Sequence, residues 1–164
     1  MKPSKIKSIK AKRTRLLPNG FRAITWFGKI YCKYQSDVEL INETSEINSI
    51  LKCHELIHVK QAESCSDSWF WFYVKYILFY IKNLPLIFIN KYAPYYFIPF
   101  ELEAYAYESF YYYPSFRCVN WKLFDKLTLK KKIKFAKEFK NENYLTFSQF
   151  TNKTIIPYIK EKEG

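Results

Sequence analysis

The sequence predicts a mostly helical α+β fold. Short N-terminal strands come first, then a helix carrying both histidines, an aromatic apolar helix, a glutamate-bearing helix and a basic C-terminal helix. Three observations predict it. The 164 residues include only three glycines, too few for a many-turned β fold. The candidate strands, Phe21 to Tyr34 and Val38–Ile41, both precede the histidines. Beyond them, apolar residues recur at helical spacing between turn and cap signals.

Residues 1–18 read as a flexible basic arm, with Lys2, Lys5, Lys7, Lys10, Lys12, Arg13 and Arg15 and no acid, closed by a Pro18-Asn19-Gly20 turn signal. Phe21 to Tyr34 reads as a bulged strand or a hairpin turning near Gly28, and Val38–Ile41 as a second short strand. Thr44 or Ser45 then offers a cap for a helix running to about Cys65. Ser66-Asp67-Ser68 ends that helix and caps the next, Trp69 to Ile81. That second helix is almost wholly apolar and reads first as core. Its other reading is a membrane interface, with Lys75 and Lys82 snorkelling. Asn83 and Pro85 break it short of the roughly 20 residues a membrane span needs. A loop over 90–99 leads to a helix from Phe100 to Tyr113, stopped by Pro114. Residues 119–140 read as one basic amphipathic helix, and the last segment as a short helix. The organisation is an arm (1–18), a core domain (19–118) and a basic helical extension (119–164).

A net charge of +12 favours anionic contacts. The aromatic residues lie in dense apolar runs and are not interleaved with arginine, which disfavours nucleic acid and leaves an anionic membrane surface as the peripheral partner. Cys32, Cys53, Cys65 and Cys118 form no Cys-x-x-Cys pair, and no secretory signal follows the basic start. The expectation is free thiols in a cytoplasmic, membrane-peripheral setting.

The chemistry centres on His54-Glu55-Leu56-Ile57-His58, which holds the only two histidines. Four residues apart on a helix, the imidazoles share a face and can meet one cation. Glu55, beside the first ligand, can reach a water without binding the metal. The pattern H-E-x-x-H is that of a zinc peptidase helix with the glutamate as general base. A catalytic zinc takes three protein ligands, so a carboxylate or thiolate must complete the set. Cys53 points about 100° away around the helix, and Cys65 lies roughly 10 Å along its axis. The ligand must come from another helix, and Glu101-Leu102-Glu103-Ala104-Tyr105 is the place, with Glu101 and Glu103 as the candidates.

Together, His54-Glu55-x-x-His58 and Glu101-x-x-Ala104 resemble the gluzincin metallopeptidases, particularly their minimal forms and small bacterial proteins with the same paired motifs, over residues 21–112. The resemblance implies Zn2+ held by His54, His58 and Glu101, and hydrolysis of peptide bonds in a peptide or protein substrate with Glu55 as base. The family's second motif ends in Asp, which orients a ligand histidine, whereas this chain has Tyr105. No histidine remains to stabilise an oxyanion, so Tyr105, Tyr107 and Tyr112 are the candidates. The strand before the histidine helix could pair with an extended substrate. The alternatives are a zinc-binding pseudoenzyme and a basic membrane- or nucleic-acid-associated module without catalysis.

Overall fold

The computed structural model describes residues 10–17, 21–43, 46–116, 120–142 and 144–163. They form a mostly helical α+β structure with one three-stranded sheet. The chain gathers into two compact units, one reaching to Phe72 and including Tyr107 to residue 119, the other comprising Tyr73–Ala106 and the chain from Asn120 onward. Each is described in turn.

In the first unit, β2 (Ala23–Trp26) and β3 (Lys29–Cys32) make an antiparallel hairpin. Phe27 (φ 46°) and Gly28 (φ 78°) form its two-residue turn, the left-handed pair that matches strand twist. A side chain at Gly28 would also meet the Trp69 indole at 3.3 Å. The expected hairpin near Gly28 is therefore what forms.

The basic arm is not wholly outside the sheet. Ala11–Arg13 is β1, parallel to β3, giving the order β1-β3-β2. Asn42 secures it by accepting from Ala11 N at 2.9 Å and donating to Ala11 O at 3.0 Å. The Pro18-Asn19-Gly20 signal lies outside the described residues.

Val38–Ile41 is not a strand. It lies in α1 (Gln35–Asn42), where Val38 and Ile41 bury one helical face against the sheet beside Ile30 and Cys32. Spacing of three residues places both on that face. Asp37 in the first turn receives Arg22 at 2.6 Å.

α2 (Ile50–Ser64) carries the histidines. Its cap is Ser49, whose hydroxyl accepts from Lys52 N at 3.2 Å, so the helix starts later than Thr44 or Ser45 would set it. Those two residues lie outside the described set. Ser66 and Asp67, both at positive φ, reverse the chain after α2, and Phe72 N donates to Ser68 O as α3 (Trp69–Asn83) begins.

In the second unit, α3 runs into a 3₁₀ turn at Leu84–Phe88, where Pro85 cannot donate to an α-helical ladder. α3 is not the uniformly buried helix its composition suggests. Phe72 and Phe79 are buried, while Ile77, Leu78 and Ile81 are more than half exposed. The loop over 90–99 holds a short helix, α4 (Ala93–Tyr96). α5 (Pro99–Tyr107) begins at a proline and ends six residues before Tyr113. From Tyr107 the chain belongs to the first unit, where it turns with Phe110 N donating to Tyr107 O, and the Tyr107 and Tyr113 rings stack 4.1 Å apart. Pro114 sits in a 3₁₀ turn, Tyr113–Phe116.

The basic segment is two helices. α6 (Trp121–Asp125) ends, and Thr128 caps α7 (Leu129–Asn141) by accepting from Lys131 N at 3.4 Å. A capping box at Thr146 and Gln149 starts α8 (Phe147–Phe150). The helix continues through a π turn to α9 (Ile156–Glu163), with Ile156 N–H donating to Thr151 O just before Pro157, which has no N–H. The core of the second unit is aromatic. Phe100 meets Trp121 and Phe79 edge-on, Tyr96 stacks on Phe147 at 4.5 Å, and Phe97, Phe124 and Phe150 are fully buried. Edge and offset arrangements of this kind add roughly 0.5–1.5 kcal/mol per pair beyond area burial.

Candidate metal centre

His54, His58 and Gln61 occupy one stripe of α2, because steps of four and three residues return to nearly the same angle. All three are buried. Gln61, one turn on, reaches back so that its Oε1 lies 2.8 Å from His58 Nδ1. The Oε2 of Glu108 lies 2.8 Å from His54 Nδ1. With an N–H at Nδ1 given to each acceptor, a neutral imidazole has its lone pair at Nε2. The rings cross edge-on at 4.9 Å. An outer acceptor that fixes tautomer and ring plane is the arrangement that surrounds metal-binding histidines.

Glu55 lies about 100° around the helix from His54. It is buried, and Thr25 on β2 donates its hydroxyl to the Glu55 carboxylate. The bond holds the Glu55 carboxylate in place.

Glu101, in the first turn of α5, is buried and accepts from the Tyr76 hydroxyl at 2.8 Å. Tyr95 hydrogen-bonds the same carboxylate, and burial together with Glu101 holds the Tyr95 phenol well above its ordinary range. Glu103 has a different task, accepting the backbone N–H of Asn120 at the start of α6. The two candidate carboxylates are thus told apart by their partners.

Among the described residues, one group of histidine, cysteine and acidic side chains could hold a metal ion. It is His54, His58 and Glu101, each offering one ligand atom, all within 4.8 Å of one another. Two imidazoles and one carboxylate form a donor set used by catalytic zinc.

The thiols behave differently. Burial pushes both Cys53 and Cys32 up to about 12, with Glu108 adding to the first and Glu55 to the second. Cys53 donates weakly toward the carbonyls of Tyr107 and Phe110. Cys32, Cys53 and Cys65 are buried thiols that form no disulfide, and Cys118 lies outside the described residues.

Of the tyrosines expected at the site, the Tyr105 ring packs on Tyr96 and Phe147, Tyr107 stacks on Tyr113, and Tyr112 is exposed. The phenols on the Glu101 carboxylate are Tyr76 and Tyr95, from α3 and α4. Glu108 was visible in the sequence seven residues after Glu101. Gln61 was visible three after His58, where a polar side chain with an acceptor can reach back along the face.

No protein-family model, curated protein or solved structure matches this chain. Among the described residues, no helix is long and apolar enough to cross a membrane.

Proposed function

We propose that this chain is a zinc-dependent metallopeptidase in which His54, His58 and Glu101 hold the metal and Glu55 is the general base. The observation that carries this reading is the His54, His58 and Glu101 group, with both histidines held at Nδ1 by separate acceptors. A bound Zn2+ would supply Lewis acidity and lower the pKa of water to about 7. Glu55 would take the proton of the attacking water and return it to the leaving amine. Tyr76 and Tyr95, whose phenols hydrogen-bond the Glu101 carboxylate, would hold that ligand in place. β2, at the margin of the sheet, would take an extended peptide alongside it.

The Thr25 bond to Glu55 favours a second reading, a zinc-binding scaffold whose glutamate is held away from catalysis. One experiment separates the two. Zinc content and zinc-dependent cleavage of an unstructured protein substrate are measured for the native chain and for Glu55→Gln. A peptidase gives one zinc per chain in both, with cleavage lost by at least a hundredfold in Glu55→Gln. Zinc in both without cleavage identifies the scaffold, and cleavage that survives in Glu55→Gln refutes the assigned base.

A further inference from the structure

The second unit presents an apolar face that its own core does not use. At 100° per residue, the buried positions Phe79 and Asn83 of α3 point to one side, while Ile77, Leu78 and Ile81 centre on the opposite side. Ile77 is 57% exposed and Ile81 53%. The 3₁₀ turn extends the face through Leu84, Ile87 and Phe88, the last 91% exposed, while Leu86 turns into the core. Single exposed apolar residues are ordinary, but a contiguous row along a helix and its continuation marks an interaction surface.

The borders of the face indicate what covers it. Lys75 and Lys82, seven residues apart, share one border, and Tyr73 and Tyr80 share the other. From Trp69 to Phe100 the sequence holds three lysines and no acid. The lysine-rich helix α7 joins this end of the unit, where Lys132 donates to Asn83 Oδ1 at 3.0 Å. The Lys75 and Lys82 ammonium groups lie over the Trp121 and Phe79 rings, 4.9 and 5.7 Å from their centroids, which keeps both charges at the flank of the face, and tyrosine suits the boundary between apolar surface and water. A second copy of the chain seated on this face would bring Lys75 and Lys82 toward other lysines, with no acid in the segment to pair them. An anionic headgroup layer supplies the missing charge.

We propose that α3 and its 3₁₀ extension form a membrane-surface docking face, lying flat in the headgroup region of an anionic bilayer with Ile77, Ile81 and Phe88 in the acyl boundary. Helices of this kind bind in proportion to buried apolar area plus attraction of flanking lysines to anionic lipid.

The test is co-sedimentation of the full chain with vesicles of phosphatidylcholine alone and with about 30% phosphatidylglycerol. The expected result is binding to the anionic vesicles that weakens several-fold when salt is raised from about 0.1 to 0.5 M, since screening shortens the reach of the lysines. Ile77→Glu with Ile81→Glu should lower partitioning at least tenfold with an unchanged melting temperature. Should that variant fold poorly, Ile77→Ser with Ile81→Ser carries the same expectation. Absence of binding to anionic vesicles overturns the proposal. So does binding unchanged by these substitutions but lost when Lys2, Lys5, Lys7 and Lys10 are neutralised. Concentration-dependent dimerisation abolished by the substitutions, without vesicle binding, assigns the face to a second copy and equally overturns it.

Discussion

Replacing Glu108 with alanine removes the carboxylate that accepts from His54 Nδ1 at 2.8 Å. Both side chains are largely buried, 9% and 12% exposed, so water replaces the lost acceptor poorly. Loss of an outer acceptor on a metal-binding histidine typically weakens metal affinity by about 10–100-fold, or roughly 1.4–2.7 kcal/mol. The burial of this pair places the expectation in the upper half of that range. Glu108→Gln keeps an acceptor oxygen without the charge, so its loss should stay below about tenfold. Zinc affinity is read by competition with a chelator of known affinity, alongside the melting temperature of the metal-free chain to separate orientation from folding. Zinc binding in Glu108→Ala within threefold of the native chain would refute the orienting role. An affinity for Glu108→Gln no better than for Glu108→Ala would also contradict it.

Two further outcomes follow from buried ionisable groups. Burial lowers Lys132 from 10.5 to about 8, on the order of 3 kcal/mol at 1.36 kcal/mol per pH unit. Its folded value lies below its unfolded one, so the unfolded chain binds more protons between about pH 8 and 10.5, and this group's contribution to stability rises with pH across that window. Lys132→Met should therefore stabilise the chain at pH 7 by roughly 1–2 kcal/mol after loss of the Asn83 bond, with the gain shrinking by pH 10. Urea unfolding at the two pH values checks this, and an equal difference at both would refute it. Cys32 and Cys53, buried and pushed up to about 12, should resist alkylation at pH 8 in the folded chain and react on unfolding. Mass mapping that finds either alkylated within minutes in the native state would contradict the buried thiol assignment.

The parts of this fold that were legible in the sequence are those set by local chemistry. The H-E-x-x-H spacing fixes both imidazoles on one face of α2. The glycine at 28 admits the left-handed turn of the hairpin. Asn83 and Pro85 end α3 where a proline must. What was not legible depends on tertiary partners. Val38–Ile41 is too short for periodicity to separate strand from helix, and burial of Val38 and Ile41 beside Ile30 decides it. Ala11–Arg13 carries no strand signal of its own and becomes one by pairing with β3 under the Asn42 clamp. The candidate site shows the same division. The histidines and Glu55 follow from spacing, and Glu101 follows from the search for a further ligand. The expectation that Tyr105 stands where an orienting Asp would be overlooked Glu108. A helix drawn through to Tyr113 hides the turn after Tyr107, and that turn accompanies the stacking of Tyr107 on Tyr113. Likewise Trp69–Ile81 is apolar enough to suggest core, and only its surroundings divide it into a buried face and an exposed one.

The central claim is that two imidazoles and the Glu101 carboxylate share one zinc ion. X-ray absorption at the zinc edge of the zinc-loaded chain tests it most directly. The account predicts one zinc per chain with nitrogen and oxygen neighbours near 2.0–2.1 Å, the outer-shell signature of two imidazoles, and no sulfur near 2.3 Å. Loss of stoichiometric zinc loading, or a sulfur neighbour from a cysteine, would contradict it.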